Sequence, residues 1–517
     1  MKQSAPGSQT ARRIIAVGSG KGGVGASMIA TNLATFMGQI GKRVALIDAN
    51  LANPGLHAWL GADRPDKTIG DLLYERVDNI EDALVETRVA GLFLLAGVSD
   101  LMSGTSVDEK KINRLIAAIR SLEADYVLVD LPSGMNPIAI NLLSRADLSI
   151  IVTVGTPDSV EATFRLMAAV FLHRLLQHPQ ADPISREVLE EMGCRAGLPP
   201  NPREIVERLT ELESPLCEAA QELSTTFHPN LIVNQTRIKA DEYLGEAMVS
   251  ASVRWIGLMP RLLGSVGWDD NVWLALRRSL PLLIEFPRSR ACKDLERIVR
   301  KMLSQEFKDL FSATIIPPVT EDQNLYELLE IYPGASEEEV RRALKQIKEW
   351  FGPDGLAGQG SCTVEQREYY QERAEEAHAE LLDRSKRRQY DRSNFPDGFA
   401  AARERRNQER DSIAGTVAAT HDSLPEVVLL DDQFVDGVFM GEVRRERNVE
   451  LTDISNRAKI SISYLRAIEE ERFEDLPAAV FVRGFVTEFA RFLKIDPRRA
   501  VTDFMAKYEA FAHKKVK

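Results

Sequence analysis

The chain has 517 residues and a formal net charge of −12 at pH 7. Its 44% apolar and 27% charged residues are ordinary for globular protein, which excludes a wholly disordered or fibrous chain. At about 150 residues per domain, the length predicts about three domains, and no apolar run approaches the ~18 residues of a membrane-spanning helix. The N-terminus lacks an apolar signal core, and the four cysteines show neither pairing nor metal-ligand spacing. We therefore expect a cytoplasmic protein with reduced thiols.

Short apolar runs alternate with helical stretches over residues 12–305. Each run is continuously apolar and ends at Gly, Asp, Pro or Asn, as buried parallel strands do. The runs are RIIAVGS, RVALIDA, LFLLAG, YVLVDLP, LSIIVTV and LIVNQ. This alternation predicts an α/β domain with a doubly wound, mostly parallel sheet. Residues 174–228 exceed what a crossover needs, and runs such as SREVLEEM and REIVERLTELE indicate a helical insertion.

A glycine-rich segment joins the first predicted strand to a helix. It presents consecutive backbone N–H groups to an anion, and the helix N-terminus adds a favourable dipole. In the usual G-x-x-x-x-G-K-S/T loop, the lysine neutralises phosphate charge and the hydroxyl binds magnesium. Here Ala26 takes the lysine position. Clustered glycines beside Lys21 and Ser27 argue against a turn without a ligand. We predict that the nucleotide is bound by Gly20, Lys21, Gly22, Gly23, Val24, Gly25, Ala26, Ser27 and Met28.

The run Lys21-Gly-Gly-Val-Gly resembles the deviant phosphate loop of the MinD/ParA family of P-loop ATPases, and the later segments look like its FlhG-like and MinD members. These segments follow in the family's order: LIDANLANPGLHAWLG, YVLVDLPSG, VTVGTPDSVEAT, LIVNQTR and WDDNVWLALRRSLPLLIEFPRSRACKDL. The resemblance implies a P-loop NTPase sheet, ATP or ADP with magnesium as the cofactor, and a homodimer.

The resemblance also implies roles for single residues. Lys21 would be the signature lysine, which reaches the partner's phosphates across a nucleotide-sandwiched dimer. Ser27 would ligate magnesium, with Asp130 as the carboxylate near the metal. Asp48 would be the first acid of the switch segment, and Asn234 would read the nucleobase. Lys21 and Asp48 would be the catalytic residues if the chain is active.

Two positions depart from the family's pattern. Ala26 replaces the loop lysine, and Asn50 replaces the second acid of the D-x-D segment, which positions the attacking water in the family. Phosphoryl transfer depends on positioning and charge stabilisation, so each loss would slow turnover by ~10²–10³. We therefore predict a pseudo-ATPase with weak or partial nucleotide binding. Compensation by another cation, and hence an active ATPase, stays the alternative.

A second unit is predicted over residues 321–393. The segments NLYELLEIYPGASEEEVRRALKQIKEWFGPDG and EEAHAELLDRSKRRQYD resemble a J-domain, the module by which DnaJ-type co-chaperones stimulate their Hsp70-class partner. Ser336 is a good N-cap with acids in the first turn of its helix. Gly352 stands where the family has the histidine of its His-Pro-Asp loop. We therefore do not expect a chaperone partner and favour a spacer or docking surface. A linker follows over 394–437.

The last predicted unit spans residues 438–511 and contains two short helices joined by a tight turn, the helix-turn-helix pattern. One helix carries Leu451, Ile454 and Ala458, and Ser461 caps the other. The segment resembles the cytoplasmic helix-turn-helix domain of RodZ-type cell-shape proteins, a module that binds a cytoskeletal partner as well as DNA.

Charge decides between the two kinds of partner. The second helix ends on Glu469-Glu470-Glu471, which would repel a phosphate backbone, whereas other residues of the unit are basic: Arg444, Arg445, Arg447, Arg457 and Lys459. We favour a protein partner and leave DNA open.

These patterns predict a cytoplasmic bacterial scaffold or regulator that organises a cellular structure through helical partner-binding modules. The alternatives are an active ATPase in spatial positioning of the division site, flagella or polar machinery, and a helix-turn-helix DNA-binding regulator. The stretch ACKDLERIVRKMLSQEFKDLF is amphipathic. We interpret it as a domain-packing helix and leave peripheral membrane contact open.

Overall fold

The described residues of the computed structural model form two compact units, divided within residues 400–434, which are not described. The described part of the first unit comprises 13–51, 53–63, 65–97, 108–194, 200–304, 323–396 and 398–399. That of the second comprises 435–446, 462–473, 479–493 and 497–515, with the single residues 451, 454, 460, 476 and 495. The predicted domain boundaries at 305 and 321 and most of the predicted linker lie outside these residues.

The first unit is built on a sheet of eight described strands. They are β1 Arg13–Gly18, β2 Val44–Asp48, β3 Leu84–Glu86, β4 Leu92–Leu95, β5 Tyr126–Asp130, β6 Leu148–Val154, β7 Asn230–Thr236 and β8 Arg261–Gly267. Their order is β3-β4-β2-β5-β1-β6-β7-β8. All pairs are parallel except the antiparallel β3–β4 pair at one edge. The predicted mostly parallel α/β fold is confirmed.

Helices cover both faces of this sheet. They are α1 Ala26–Gln39, α2 Leu56–Leu60, α3 Ile69–Leu73, α4 Glu109–Ser121, α5 Pro137–Arg145, α6 Pro157–Leu176, α7 Pro183–Gly193, α8 Pro202–Glu211, α9 Cys217–Thr226, α10 Lys239–Ala251, α11 Asn271–Arg277, α12 Leu282–Glu285 and α13 Arg290–Ser304. Successive strand residues alternate between two hydrophobic clusters, with Ile15 and Val17 in one and Ala16 in the other. This alternation is what a sheet buried on both faces requires.

The described part of the predicted insertion contains three helices, α7, α8 and α9. Their apolar side chains Leu189, Ile205 and Leu209 are buried in the same cluster as those of α6. Two of these helices match the predicted runs, and α9 is an addition to them. The insertion therefore extends one helical layer of the domain.

Helix α13 packs against the sheet domain through Ala291, Cys292, Leu295, Ile298 and Val299, all at most 2% exposed. Its apolar face is thus taken by the domain's own core, as the packing interpretation expected. Among the helices that the structure describes, none is both long and apolar enough to cross a membrane.

Residues 323–399, here called the helical unit, pack onto the sheet domain within the same compact unit. Within its described residues the helices with defined bounds are α14 Leu325–Leu328, α15 Glu337–Phe351, α16 Val364–Leu382 and α17 Arg384–Asn394. Ser336 caps α15 in a capping box with Glu339, as the sequence predicts. Trp255 from a π-helical turn after α10 contacts the rings of Phe351 and Tyr370 edge-on. The resemblance to a J-domain stays a prediction.

The second compact unit is all helical in its described part. Its helices are α18 Gly437–Glu446, α19 Ile462–Glu469, α20 Ala479–Phe492 and α21 Pro497–Lys515. Leu465, Ile468, Phe489 and Phe504 are buried in one core cluster. The second helix of the predicted helix-turn-helix pair corresponds to α19, whereas most of the first helix lies outside the described residues.

Candidate functional site

The glycine-rich segment forms a tight loop between β1 and α1, supported by the end of β7. Gly25 has a φ of 87° at the N-terminus of α1, a left-handed conformation that favours glycine. A Cβ at this position would overlap the amide nitrogen of Asn234. Asn234 Nδ2 donates to the Val24 carbonyl at 2.8 Å, and Gln235 Nε2 donates to the Gly23 carbonyl at 3.2 Å. Side chains of β7 therefore hold the loop backbone in place.

A cavity of about 670 Å³ opens beside this loop. Of the predicted nucleotide-binding residues, Gly22 to Met28 and Asn234 line it, whereas Gly20 and Lys21 are outside the lining. Ala26 and Asn50, the two departures from the family's pattern, both line it. None of the described lining residues is basic. The compensating cation that the sequence left open is therefore not found among them.

Lys21 points to the start of α6. Its ammonium forms an ion pair with the Asp158 carboxylate, and both side chains are about half exposed. Asp158 is itself held by the Thr156 hydroxyl at 2.7 Å and the Ser159 N–H at 2.9 Å. An exposed pair of this kind is worth at most about 1 kcal/mol, so it can open at little cost.

Asp48 and Asp130 are neighbours at the carboxyl ends of β2 and β5. Asp48 is buried, and its carboxylate accepts N–H bonds from Gly55 at 2.8 Å and Leu56 at 3.0 Å. Burial raises the pKa of Asp48 to about 6, although these backbone N–H bonds oppose the rise. Asp48 therefore organises the segment after β2, which carries Asn50.

Asp130 is 2% exposed, and its Oδ1 has no hydrogen-bond partner among the residues that the structure describes. Burial raises its pKa to about 8; a hydrogen bond with Ser27 opposes the rise, and the charge of Asp48 adds to it. Nearby Ser27 and the free carboxylate oxygen are hard oxygen donors of the kind that magnesium prefers.

Magnesium fits this pair as a nucleotide-borne ion. No cluster of three or more His, Cys, Asp and Glu that could hold a metal occurs in the described residues. Magnesium usually keeps several waters and is held by one or two protein groups plus phosphate oxygens, so a cluster is not required. Ser27 and Asp130 are the residues that would hold it, and their role as magnesium ligands stays a prediction.

Three tryptophans line the cavity that the sequence analysis did not single out: Trp59, Trp268 and Trp273. Trp268 Nε1 donates to Asp270 at 3.1 Å, and the Arg237 guanidinium lies 3.8 Å from its ring centroid. A flat aromatic surface fixed in this way suits a nucleobase, because base stacking is worth ~1–3 kcal/mol. In the sequence, the two tryptophans of WDDNVW were the signal from which this aromatic surface could have been predicted.

In the C-terminal unit, two basic side chains form ion pairs with acidic residues. Arg444 forms a two-pronged pair with Glu469 at 2.6 and 3.0 Å, largely buried. Lys507 pairs with Asp436 and Glu471. Of the predicted basic residues, Arg447, Arg457 and Lys459 lie outside the described part of the chain.

Comparison with known proteins gives two family matches. The ParA family model, described as a NUBPL iron-transfer P-loop NTPase, matches residues 10–175. A model described as a helix-turn-helix domain matches residues 439–500.

Individual relatives match the first part of the chain. The septum site-determining protein MinD of Bacillus subtilis (strain 168) is 25% identical, over 56% of this chain and 89% of its own length. The chromosome partitioning protein ParA of Caulobacter vibrioides is 32% identical, over 31% of this chain and 62% of its own. An uncharacterized ATP-binding protein of Methanocaldococcus jannaschii is 32% identical, over 30% of this chain and 57% of its own length. The chain spans about half the length of several such relatives.

Among solved structures, the cell division ATPase MinD of Pyrococcus furiosus matches with a TM-score of 0.39 and 20% identity. The match covers 56% of this chain and 98% of that chain.

Proposed function

Since the chain combines a ParA/MinD-type P-loop NTPase core with a C-terminal helix-turn-helix domain, we propose that it is a nucleotide-binding scaffold or regulator that positions a cellular structure. ATP or ADP with magnesium occupies the cavity beside the glycine-rich loop. Hydrolysis is slow or absent. The helix-turn-helix domain binds a protein partner, and nucleotide shifts the population of states that differ in partner or self-association.

The observation that carries this proposal is the cavity itself. Its volume of about 670 Å³ lies within the ~300–1,000 Å³ range of small-molecule sites. The lining combines loop N–H groups and the α1 N-terminus, which favour phosphate, with tryptophan rings, which favour a base. Magnesium at Ser27 and Asp130 would neutralise phosphate charge.

Slow turnover follows from the groups that the cavity lacks. Ala26 contributes no cation, and the Asn50 amide cannot take the negative charge that orients an attacking water. Lys21 is held by Asp158 outside the lining, and must leave that pair before it can act on phosphate. Each missing electrostatic contribution costs ~10²–10³ in rate.

A protein partner is favoured over DNA by the charges of the C-terminal unit. Because Glu469 pairs with Arg444, that guanidinium is not available to phosphate. Salt-sensitive binding of the full chain to non-specific duplex DNA, weakened at least ~10³-fold between 50 and 200 mM salt, would instead support the DNA-binding alternative.

Nucleotide binding is tested by titrating the full chain with MgATP and MgADP, followed by calorimetry and tryptophan fluorescence. We expect saturable binding that quenches the emission, because three tryptophans line the cavity. Ser27→Ala should lose the magnesium dependence and keep residual binding through the loop. Light scattering on the same samples tests the proposed homodimer. No binding at millimolar nucleotide would refute the proposed nucleotide-dependent role.

Turnover is tested separately, with phosphate release measured on the same preparations. Turnover at a typical enzyme rate of about 1 per second or more, abolished by Lys21→Ala, would refute the pseudo-ATPase and support the active-ATPase alternative.

A further inference from the structure

Helix α6 is shared between the glycine-rich loop and the helical unit. Gly20 of the loop packs against the backbone of Ala162, where a Cβ would overlap the carbonyl group. Gly360 of the helical unit packs against Glu161, the residue before Ala162 in α6. A Cβ at Gly360 would lie 2.6 Å from the Glu161 Cα. Consecutive residues of α6 are thus in close contact with different parts of the molecule: Glu161 with the helical unit and Ala162 with the glycine-rich loop.

The same end of α6 also carries Asp158, the partner of Lys21. Within the first two turns of this helix, Asp158 holds a loop side chain, Ala162 contacts the loop backbone, and Glu161 contacts the helical unit. A displacement of these turns would therefore change the loop at two points.

The helical unit is anchored to the sheet domain at a second place. Arg254, whose side chain is fully buried, pairs with Glu330 at 2.8 Å and lies 4.2 Å from the Tyr370 ring centroid. Ser250 donates a further hydrogen bond to Glu330 at 2.8 Å. In the same interface the Trp255 ring contacts Phe351 and Tyr370, so undocking the helical unit would expose these rings to water and is disfavoured. The loop around Gly360 is consequently held against α6.

We propose that the docked helical unit positions the first turns of α6 and so fixes the conformation of the glycine-rich loop. Docking and anion binding are then coupled, and by linkage bound nucleotide tightens docking by the same factor. A partner that drew the helical unit away would loosen the loop. The coupling to nucleotide rests on the proposed nucleotide binding, whereas the effect on the loop does not.

The test compares two glycine variants of the full chain, Gly360→Ala and Gly398→Ala. Both positions lie in the helical unit and have left-handed backbones, with φ of 74° and 80°, so both variants carry similar backbone strain. Among the residues that the structure describes, none has an atom within 4 Å of a Cβ added at Gly398, whereas Gly360 faces Glu161. Their difference isolates the contact with α6.

The first readout is hydrogen exchange of the amides in residues 18–27 without nucleotide. Gly360→Ala should raise the exchange rates at least ~5-fold, the lower end of measured site-to-site couplings, and Gly398→Ala should leave them within about twofold. The second is the Kd of MgATP, which should rise at least ~5-fold in Gly360→Ala alone. Equal exchange in both variants would overturn the proposal.

If wild-type protein binds no nucleotide, the proposed function fails, and loop exchange alone decides the coupling. If Gly360→Ala does not fold, Glu330→Gln weakens the second anchor with little change of shape, and Glu338→Gln, at an exposed ion pair of α15, serves as its control. Faster loop exchange in Glu330→Gln alone would support the proposal, and unchanged exchange would overturn it.

Discussion

Restoring the missing lysine tests the central electrostatic argument. Ala26 is the first residue of α1, is 8% exposed and lines the cavity beside Ser27. We predict that Ala26→Lys tightens binding of MgATP, because it adds a cation to a cavity whose described lining has none.

The magnitude follows from the position of the new charge. An ammonium ~4 Å from a phosphate oxygen gains about 4 kcal/mol at an effective dielectric constant of about 20. Ordering the lysine side chain costs up to ~2 kcal/mol of this gain. About 2 kcal/mol remains, which corresponds to a Kd lowered by roughly 30-fold.

The assay is calorimetric titration of wild type, Ala26→Lys and a control, Ile40→Lys. Ile40 follows the last residue of α1 and is exposed, so the control adds the same charge at the far end of the same helix. That end lies ~20 Å away at 1.5 Å per residue, well beyond the ~10 Å Debye length at 0.1 M salt. The control Kd should stay within about twofold of wild type.

An unchanged Kd in Ala26→Lys would refute the reasoning, because another cation would then already neutralise the phosphates. Adding Asn50→Asp to the lysine variant should raise turnover by a further ~10²–10³. Absence of that rise would mean that the switch segment does not position water in this chain.

Three further predictions concern stability. Glu330→Ala should lower the free energy of unfolding in urea by about 3–5 kcal/mol, because it leaves the Arg254 guanidinium buried without its carboxylate. Glu338→Ala, at an exposed pair, should cost under about 1 kcal/mol. Similar losses in both variants would contradict the role of the Arg254–Glu330 pair as an anchor. Gly352→His should lower the free energy of unfolding by about 1–3 kcal/mol, seen as a lower thermal midpoint, because an added Cβ would overlap a carbonyl oxygen of α15. An unchanged midpoint would show that the loop accommodates histidine. Without magnesium, stability should fall as pH rises from 6 to 8, because native Asp130, with its pKa raised to about 8, still binds a proton that the unfolded chain has lost. Asp130→Asn should remove up to about 1.4 kcal/mol per pH unit of this slope, and an unchanged slope would assign it to other groups.

The sequence predicted the parts of the fold that carry a local, periodic signal. All six strands read from continuous apolar runs are present. Strand β8, Arg261–Gly267, was missed because Gly264 and Ser265 interrupt its apolar pattern, and it is placed by pairing with β7. The three residues of β3 are partly exposed and too few to form a pattern.

The candidate site divides in the same way. The glycine-rich loop and Asp130 follow strands in the sequence, so their place at the carboxyl edge of the sheet could be predicted. The Lys21–Asp158 pair joins residues 137 positions apart, and the support of the loop by Asn234 spans 210. Contacts of this separation depend on the folded arrangement and leave no spacing in the sequence to read.

The buried Arg254–Glu330 pair has a practical consequence for dissecting the chain. A fragment that ends near residue 305 would keep the guanidinium and the Trp255 ring but lose the carboxylate and aromatic rings that cover them. Such a fragment would expose a charged group and an apolar ring to solvent, and it is expected to aggregate or to need a detergent-like additive. The sheet domain should therefore not be expressed or fused to another protein without residues 323–399.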